Sequence, residues 1–96
     1  MRWTWDEDKN RINTQKHGLS FETAQLVFDD PLMAHRPDPH TDEERWHTIG
    51  MIGGVVVIVA HTWPTPEPAT GVVVGRIISA RKATAHERRD YEEGGF

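Results

Sequence analysis

The sequence predicts an α+β fold: a mostly antiparallel sheet of four to five strands with helices packed against it, in the order β-α-α-β-β-β-β-α. Three observations predict it. Val55-Val56-Val57-Ile58-Val59-Ala60 is an unbroken, largely β-branched run suited to a central strand covered on both faces. Ile52-Gly53-Gly54 precedes it with the residues of a tight hairpin, and strands joined by hairpins pair antiparallel. Helix caps bracket both ends of the chain, Asp6 with Gly18 near the start and Thr84 with Glu87 three positions on near the end.

Each element follows from local chemistry. Arg2 to Trp5 reads as a short strand, after which Asp6 caps a helix whose first turn holds Glu7 and Asp8. Lys16 and His17 sit where cations suit a helix C-terminus, and Gly18 stops it. Ile12 is the only large apolar residue inside this helix, so a surface position anchored by Trp5, Ile12 and Leu19 is expected. Ser20 opens a second helix with Phe21, Ala24 and Phe28 at helical spacing, ended by Asp29, Asp30 and Pro31. Strands are expected over Leu32 to Arg36, Arg45 to Met51, Val55 to Ala60 and Val72 to Ala80. Pro64, Pro66 and Pro68 make the stretch from Trp63 to Gly71 an extended loop. A last helix runs from Ala85 to about Glu93.

The 96 residues suit one domain spanning 1–96. No cysteine is present, so packing alone must supply the core, and a reducing compartment fits. No apolar run approaches a membrane span and no signal segment is evident, which makes the cytoplasm the expected location. A net charge of −4 argues against a nucleic-acid partner, but its distribution tempers that argument. Lys9, Arg11, Lys16 and His17 form one cationic group, and Arg76, Arg81, Lys82, Arg88 and Arg89 another, which allows a local positive cleft on an acidic protein.

Several blocks point to one family: Trp5-Asp6, Lys9, Asn13 and Lys16-His17-Gly18 with Ser20-Phe21; Phe28-Asp29-Asp30-Pro31; Glu44-Arg45; Thr48-Ile49-Gly50; His61-Thr62; and Arg76 through Thr84 with Glu87 and Tyr91. In this order, over nearly the whole chain, the sequence resembles the BrnT family of type II toxins. That resemblance implies a RelE-like ribonuclease fold and RNA cleavage that inhibits translation. It also implies neutralisation by a cognate antitoxin of the BrnA type. Such a partner carries a ribbon-helix-helix DNA-binding domain, so the pair would form a two-plus-two complex that meets DNA only through the antitoxin.

RNA cleavage by attack of the 2′-hydroxyl needs a base, a proton source and cations for the phosphoryl oxygens. His17 is the first candidate for proton transfer, with Lys16 beside it; capping of the helix is the plainer explanation. His61, at the end of the central strand, either points into a cleft or is hydrogen-bonded within the fold, and His47 reads as a partly exposed strand residue. Arg81 is the stronger phosphate contact, with Lys9, Arg76, Lys82 and Arg88 as further RNA-binding candidates. Five residues apart on a strand, Arg76 and Arg81 point to opposite faces unless a bulge intervenes, so Arg76 is expected to pair with a carboxylate such as Glu44. Glu44 could alternatively serve as a carboxylate base, although cross-strand ion pairing explains the adjacent Glu44 and Arg45 just as well.

Glu87 is assigned to its capping box, and Tyr91 to the core or a base-stacking surface. Trp5 and Trp46 are expected in the core and Trp63 at a partner interface. Asp38-Pro39-His40-Thr41-Asp42 holds possible ligand atoms, but no fourth ligand is evident, so neither metal nor cofactor is expected. The acidic balance and long proline loop motivate an alternative: a catalytically weak module that binds the antitoxin and modulates its hold on operator DNA.

Overall fold

A computed structural model describes residues 1–39 and 42–96. The elements are β1 (Arg2–Thr4), α1 (Glu7–His17), α2 (Phe21–Ala24), a 3-10 turn (Gln25–Asp29), β2 (Ala34–Pro37), β3 (Trp46–Ile52), β4 (Val55–His61), β5 (Thr65–Pro66), β6 (Val73–Lys82) and α3 (Ala85–Glu93). The sheet order is β1-β6-β4-β3-β2, with β5 also paired to β6. Only β1 with β6 is parallel; every other pairing is antiparallel. The fold is therefore α+β, with the β-branched strand in the middle and Val56 to Ala60 buried. Within the proline loop, β5 is an addition to the expected elements: two residues pair with Val73 and Val74, a length too short to leave a periodic trace.

The second helix is shorter than its spacing suggests and tightens to 3-10 geometry from Gln25. Phe21, Ala24 and Val27, three apart across the join of helix and 3-10 turn, share one face and are fully buried, while Phe28 turns to stack on Trp3 at 4.1 Å. Two glycines permit close packing on this side. A Cβ at Gly50 would lie 2.6 Å from a Val27 methyl, and one at Gly75 would lie 2.4 Å from the Trp3 ring. The core comprises Phe21, Ala24, Val27, Val57, Val59, Ile77 and Ala80, with Trp3, Trp5 and Leu19 packed against it.

Helix α1 is fixed differently from expectation. Its caps are as read: Asp6 accepts from the Lys9 N–H, and Gly18 adopts φ 66°. Trp5 and Leu19 pack against the core as expected, whereas Ile12 is 55 % exposed. Two buried asparagines complete the anchor. Asn10 accepts from the Phe21 N–H at 2.8 Å and donates to Glu22 at 2.6 Å. Asn13 donates to the Ala80 carbonyl at 2.9 Å and accepts from the Ala80 N–H at 3.1 Å, with a further bond to the Leu19 carbonyl. Strand β1 pairs with β6 only as far as Arg76, so the Asn13 amide occupies the place of a neighbouring strand on the open β6 edge.

Among the described residues, no helix is long and apolar enough to cross a membrane. Helix α3 has the expected capping box at Thr84 and Glu87 but no buried residue. It is held by Glu87 to Arg81 and by the Tyr91 hydroxyl, which donates to Asp30. Asp30 also accepts from the Leu32 and Met51 N–H groups. The Tyr91 bond, ahead of opposing burial, lowers the Asp30 pKa, and the same bond raises that of Tyr91 to about 12.

Candidate functional site

A β-bulge decides what the last strand presents. Ala60 pairs with Ser79 and His61 with Ile77, so Ile78 has no partner on β4. The inserted residue resets the alternation, and Ile77 and Ala80, three apart, both enter the core. Arg76, Ser79 and Arg81 then all lie on the outer face, away from the core. This corrects the expectation that Arg76 and Arg81 oppose one another, which assumed an unbroken ladder. Lys82 pairs with core-facing Val57 and lies on the other face from Arg81. Arg76 and Glu44 are both exposed, and no ion pair joins them among the described residues.

Cross-strand register assembles the outer face. Arg36 on β2 opposes His47 on β3, His47 opposes Ala60 on β4, and Ala60 opposes Ser79 on β6. His47, Ile58, Ala60, Ser79 and Arg81 line a small cavity of about 40 Å³. An adjoining cavity of about 330 Å³ is lined by Arg36, Pro37, Pro39 and the same histidine. His47 Nε2 lies 3.3 Å from Asp38 Oδ2. Burial is the first cause of a lowered His47 pKa; Asp38 opposes it, while Arg36, Arg81 and Arg45 add to the lowering. Burial and the arginines thus disfavour the charged imidazole, with the Asp38 carboxylate opposing them. Arg45 leaves its buried Nε without a partner among the described residues.

Arg81 is bound bidentately by Glu87, at 2.7 and 3.0 Å, through its two terminal nitrogens. That hydrogen bond is the largest cause of a Glu87 pKa lowered to about 2, and it raises that of Arg81. The capping glutamate therefore also orients the arginine. At the β6 edge, the Asn13 clamp brings the end of α1 beside the strand. Lys9, Lys16 and His17 line a cavity of about 210 Å³ together with Ile78 and Ser79. Ser79 belongs to both this cavity and the one at His47, so the cationic band is continuous across the sheet. Arg88 is exposed on α3 and lines neither cavity.

His61 lies on the core side. It is 1 % exposed, walled by Trp3 and Phe28 with ring centroids at 5.1 Å. The Thr62 carbonyl, 2.7 Å from Nδ1, can only accept, so Nδ1 carries the proton and Nε2 accepts from the Thr48 hydroxyl at 2.6 Å. Thr48 in turn accepts from His35 Nδ1 at 2.6 Å. Both nitrogens of His61 are thereby engaged, and burial lowers its pKa to about 4. The unfolded chain binds the extra proton between about pH 6.5 and 4, so this stabilisation is complete above pH 6.5 and lost as pH falls toward 4. A loss of up to about 3 kcal/mol is expected over that window. Urea midpoints at pH 7.5 and 4.5 check it: the decline should be smaller in His61→Gln than in the unaltered chain.

His47 and Asp38 are the residues that reading along the chain passed over. Their signal was the alternation of Arg45 to Met51, which puts His47 on the face opposite Thr48; the register with β6 is not written locally. The ligand-like segment from Asp38 to Asp42 includes His40 and Thr41, which lie outside the described residues. Among the described residues no group of three metal-ligating side chains forms. Trp63 stacks near Trp46 at 4.7 Å and stays partly exposed.

Fold and site define a class: a small α+β protein that gathers arginines around a half-buried histidine on one face of a mostly antiparallel sheet. Within that class, the family model described as the ribonuclease toxin BrnT of type II toxin–antitoxin systems matches residues 5–87. The chain belongs to this family of ribonuclease toxins, which act opposite a protein antitoxin. A search of curated proteins gave no match.

Proposed function

We propose that the chain is an endoribonuclease that cuts RNA through its own side chains, without a metal, and inhibits translation from within the cytoplasm. In this reading its RelE-like fold is neutralised by a BrnA-type antitoxin with a ribbon-helix-helix domain, in a two-plus-two complex symmetric about the partner's dimer axis. The observation that carries it is His47, backed by Asp38 and surrounded by Arg36, Arg45 and Arg81. With Nε2–H donated to Asp38, neutral His47 keeps the Nδ1 lone pair for the 2′-hydroxyl proton. The 2′ oxygen bonds to phosphorus as the bond to the 5′ oxygen breaks, and the proton that His47 has taken is handed on to the leaving 5′ oxygen, directly or through water, which gives a 2′,3′-cyclic phosphate and a 5′-hydroxyl. Arg81, oriented by Glu87, has further N–H donors for the phosphoryl oxygens. Arg81 reaches the cavity at His47 from β6, whereas Lys9, Lys16 and His17 line a separate cavity beyond the β6 edge and so serve neighbouring phosphates. Proton transfer then falls to His47, and His17 contributes to binding.

Incubating the purified chain with RNA in the presence of a chelator tests this. Fragments ending in 2′,3′-cyclic phosphate are expected; intact RNA refutes the reading. The close Glu87 clamp on Arg81 favours a second reading, a catalytically weak antitoxin-binding module. Expression without antitoxin separates the two, since growth arrest relieved by His47→Ala supports the enzyme and undisturbed growth supports the module.

A further inference from the structure

The end of the molecule that carries the β3–β4 turn holds a surface of opposite character to the cationic band. An open groove of about 740 Å³ lies between the 3-10 turn, that hairpin and the last turn of α3. Its apolar lining is solvent-facing: Leu32 is 73 % exposed, Leu26 47 % and Met51 40 %. Large apolar side chains concentrated at one exposed place mark a contact surface rather than ordinary scatter. The rim is acidic. Asp29 and Glu92 form no ion pair among the described residues, and no lysine or arginine lines the groove. The floor is rigid, because Asp30 ties Leu32, Met51 and Tyr91 together. The groove shares no residue with the cavities at His47 or at Lys16.

We infer that this groove is the docking site for a segment of the antitoxin that presents an apolar face flanked by lysine or arginine. Apolar burial supplies the affinity, and the unpaired carboxylates select and steer a basic partner. RNA is the wrong occupant, since its phosphates meet Asp29 and Glu92 with no cation between. A second copy fits poorly. The basic helix α1 offers only one exposed large apolar residue, Ile12, and a helix-in-groove contact between copies is heterologous, leaving a free groove and a free helix at each end. The docked segment therefore anchors the antitoxin off the cationic band, and neutralisation falls to the rest of the partner. The inference rests on the protein antitoxin that the family implies, and not on the proposed cleavage chemistry.

Titration of the cognate antitoxin into the purified chain tests this, with Leu32→Asp and Asp29→Lys as variants. Leu32 and Asp29 are exposed, so both variants should fold, which circular dichroism checks. Each should weaken antitoxin binding at least about tenfold while leaving the free toxin's RNA cleavage unchanged. The Asp29→Lys effect should shrink at high salt. Affinities within twofold of the unaltered chain in both variants would overturn the proposal. So would loss of antitoxin binding on Arg36→Ala with Leu32→Asp unaffected, which puts the partner on the cationic face. Self-association of the unaltered chain in sedimentation, abolished by Leu32→Asp with antitoxin affinity intact, would assign the groove to a second copy instead. If no variant cleaves RNA but the binding losses stand, the cleavage reading fails and the docking site survives.

Discussion

Replacing His47 with alanine is expected to slow RNA cleavage about 10²- to 10⁴-fold, the usual contribution of a positioned general base. Stability should change little, because the imidazole is half-buried at the sheet surface. The pH profile gives the sharper test. Burial and the three nearby arginines lower the His47 pKa, so the acid limb of the cleavage rate should fall below the usual histidine value of about 6.5. Removing Arg36 takes away one lowering influence and should move that limb upward, whereas Asp38→Asn, which removes the opposing carboxylate, should move it downward. Arg81→Ala is expected to cost about 10² to 10³ in rate through lost stabilisation of the phosphoryl oxygens. Lysine at 81 should recover only part, since an ammonium cannot reproduce the fork held by Glu87. A Lys16→Ala chain should instead lose affinity, with a shallower salt dependence. Equal rates for His47→Ala and the unaltered chain would remove the proposed base.

Asn13→Ala is expected to be the most destabilising single change in α1, by about 3 kcal/mol, because buried backbone groups lose their partners. The amide serves the Ala80 N–H, the Ala80 carbonyl and the Leu19 carbonyl at once. Methyl can serve none of them. A loss of that size corresponds to a fall in Tm of roughly 10 to 20 °C for a chain of this length, read by thermal denaturation. Asn13→Asp should cost at least as much, because the carboxylate still accepts from the Ala80 N–H but sets a buried charge against two carbonyl oxygens with no donor between them. The same clamp holds Lys16 and His17 against β6, so a folded Asn13→Asp chain should also bind RNA more weakly. Unchanged stability in Asn13→Ala would show that α1 is held elsewhere.

Local chemistry made much of the framework legible. The caps at Asp6, Gly18 and Thr84 act within a few residues of themselves, so they read directly from the chain and recur in the fold. The run from Val55 was legible as a central strand because burial on both faces leaves no polar alternation. Asn10 and Asn13 were harder. A polar residue in a weakly amphipathic helix resembles surface, and only the open edge of β6 turns it into a buried clamp. His61 shows the converse: its position at a strand end left both a cleft and a hydrogen-bonded interior open, and the fold combines them, with both ring nitrogens hydrogen-bonded and the ring in the wall of an apolar cavity beside Trp3 and Phe28.

The sequence by itself determined the fold class, the order of the main elements, the ends of the first and last helices, and membership of a ribonuclease toxin family. These depend on residues that are close in the chain or on blocks that stay in order. Only the tertiary structure decided the outer face: a bulge at Ile78 aligned Arg76 with Arg81, and pairing across β2, β3, β4 and β6 joined Arg36, His47 and Ser79. Register between strands is set by packing of distant segments, and one unpaired residue reverses every side chain beyond it.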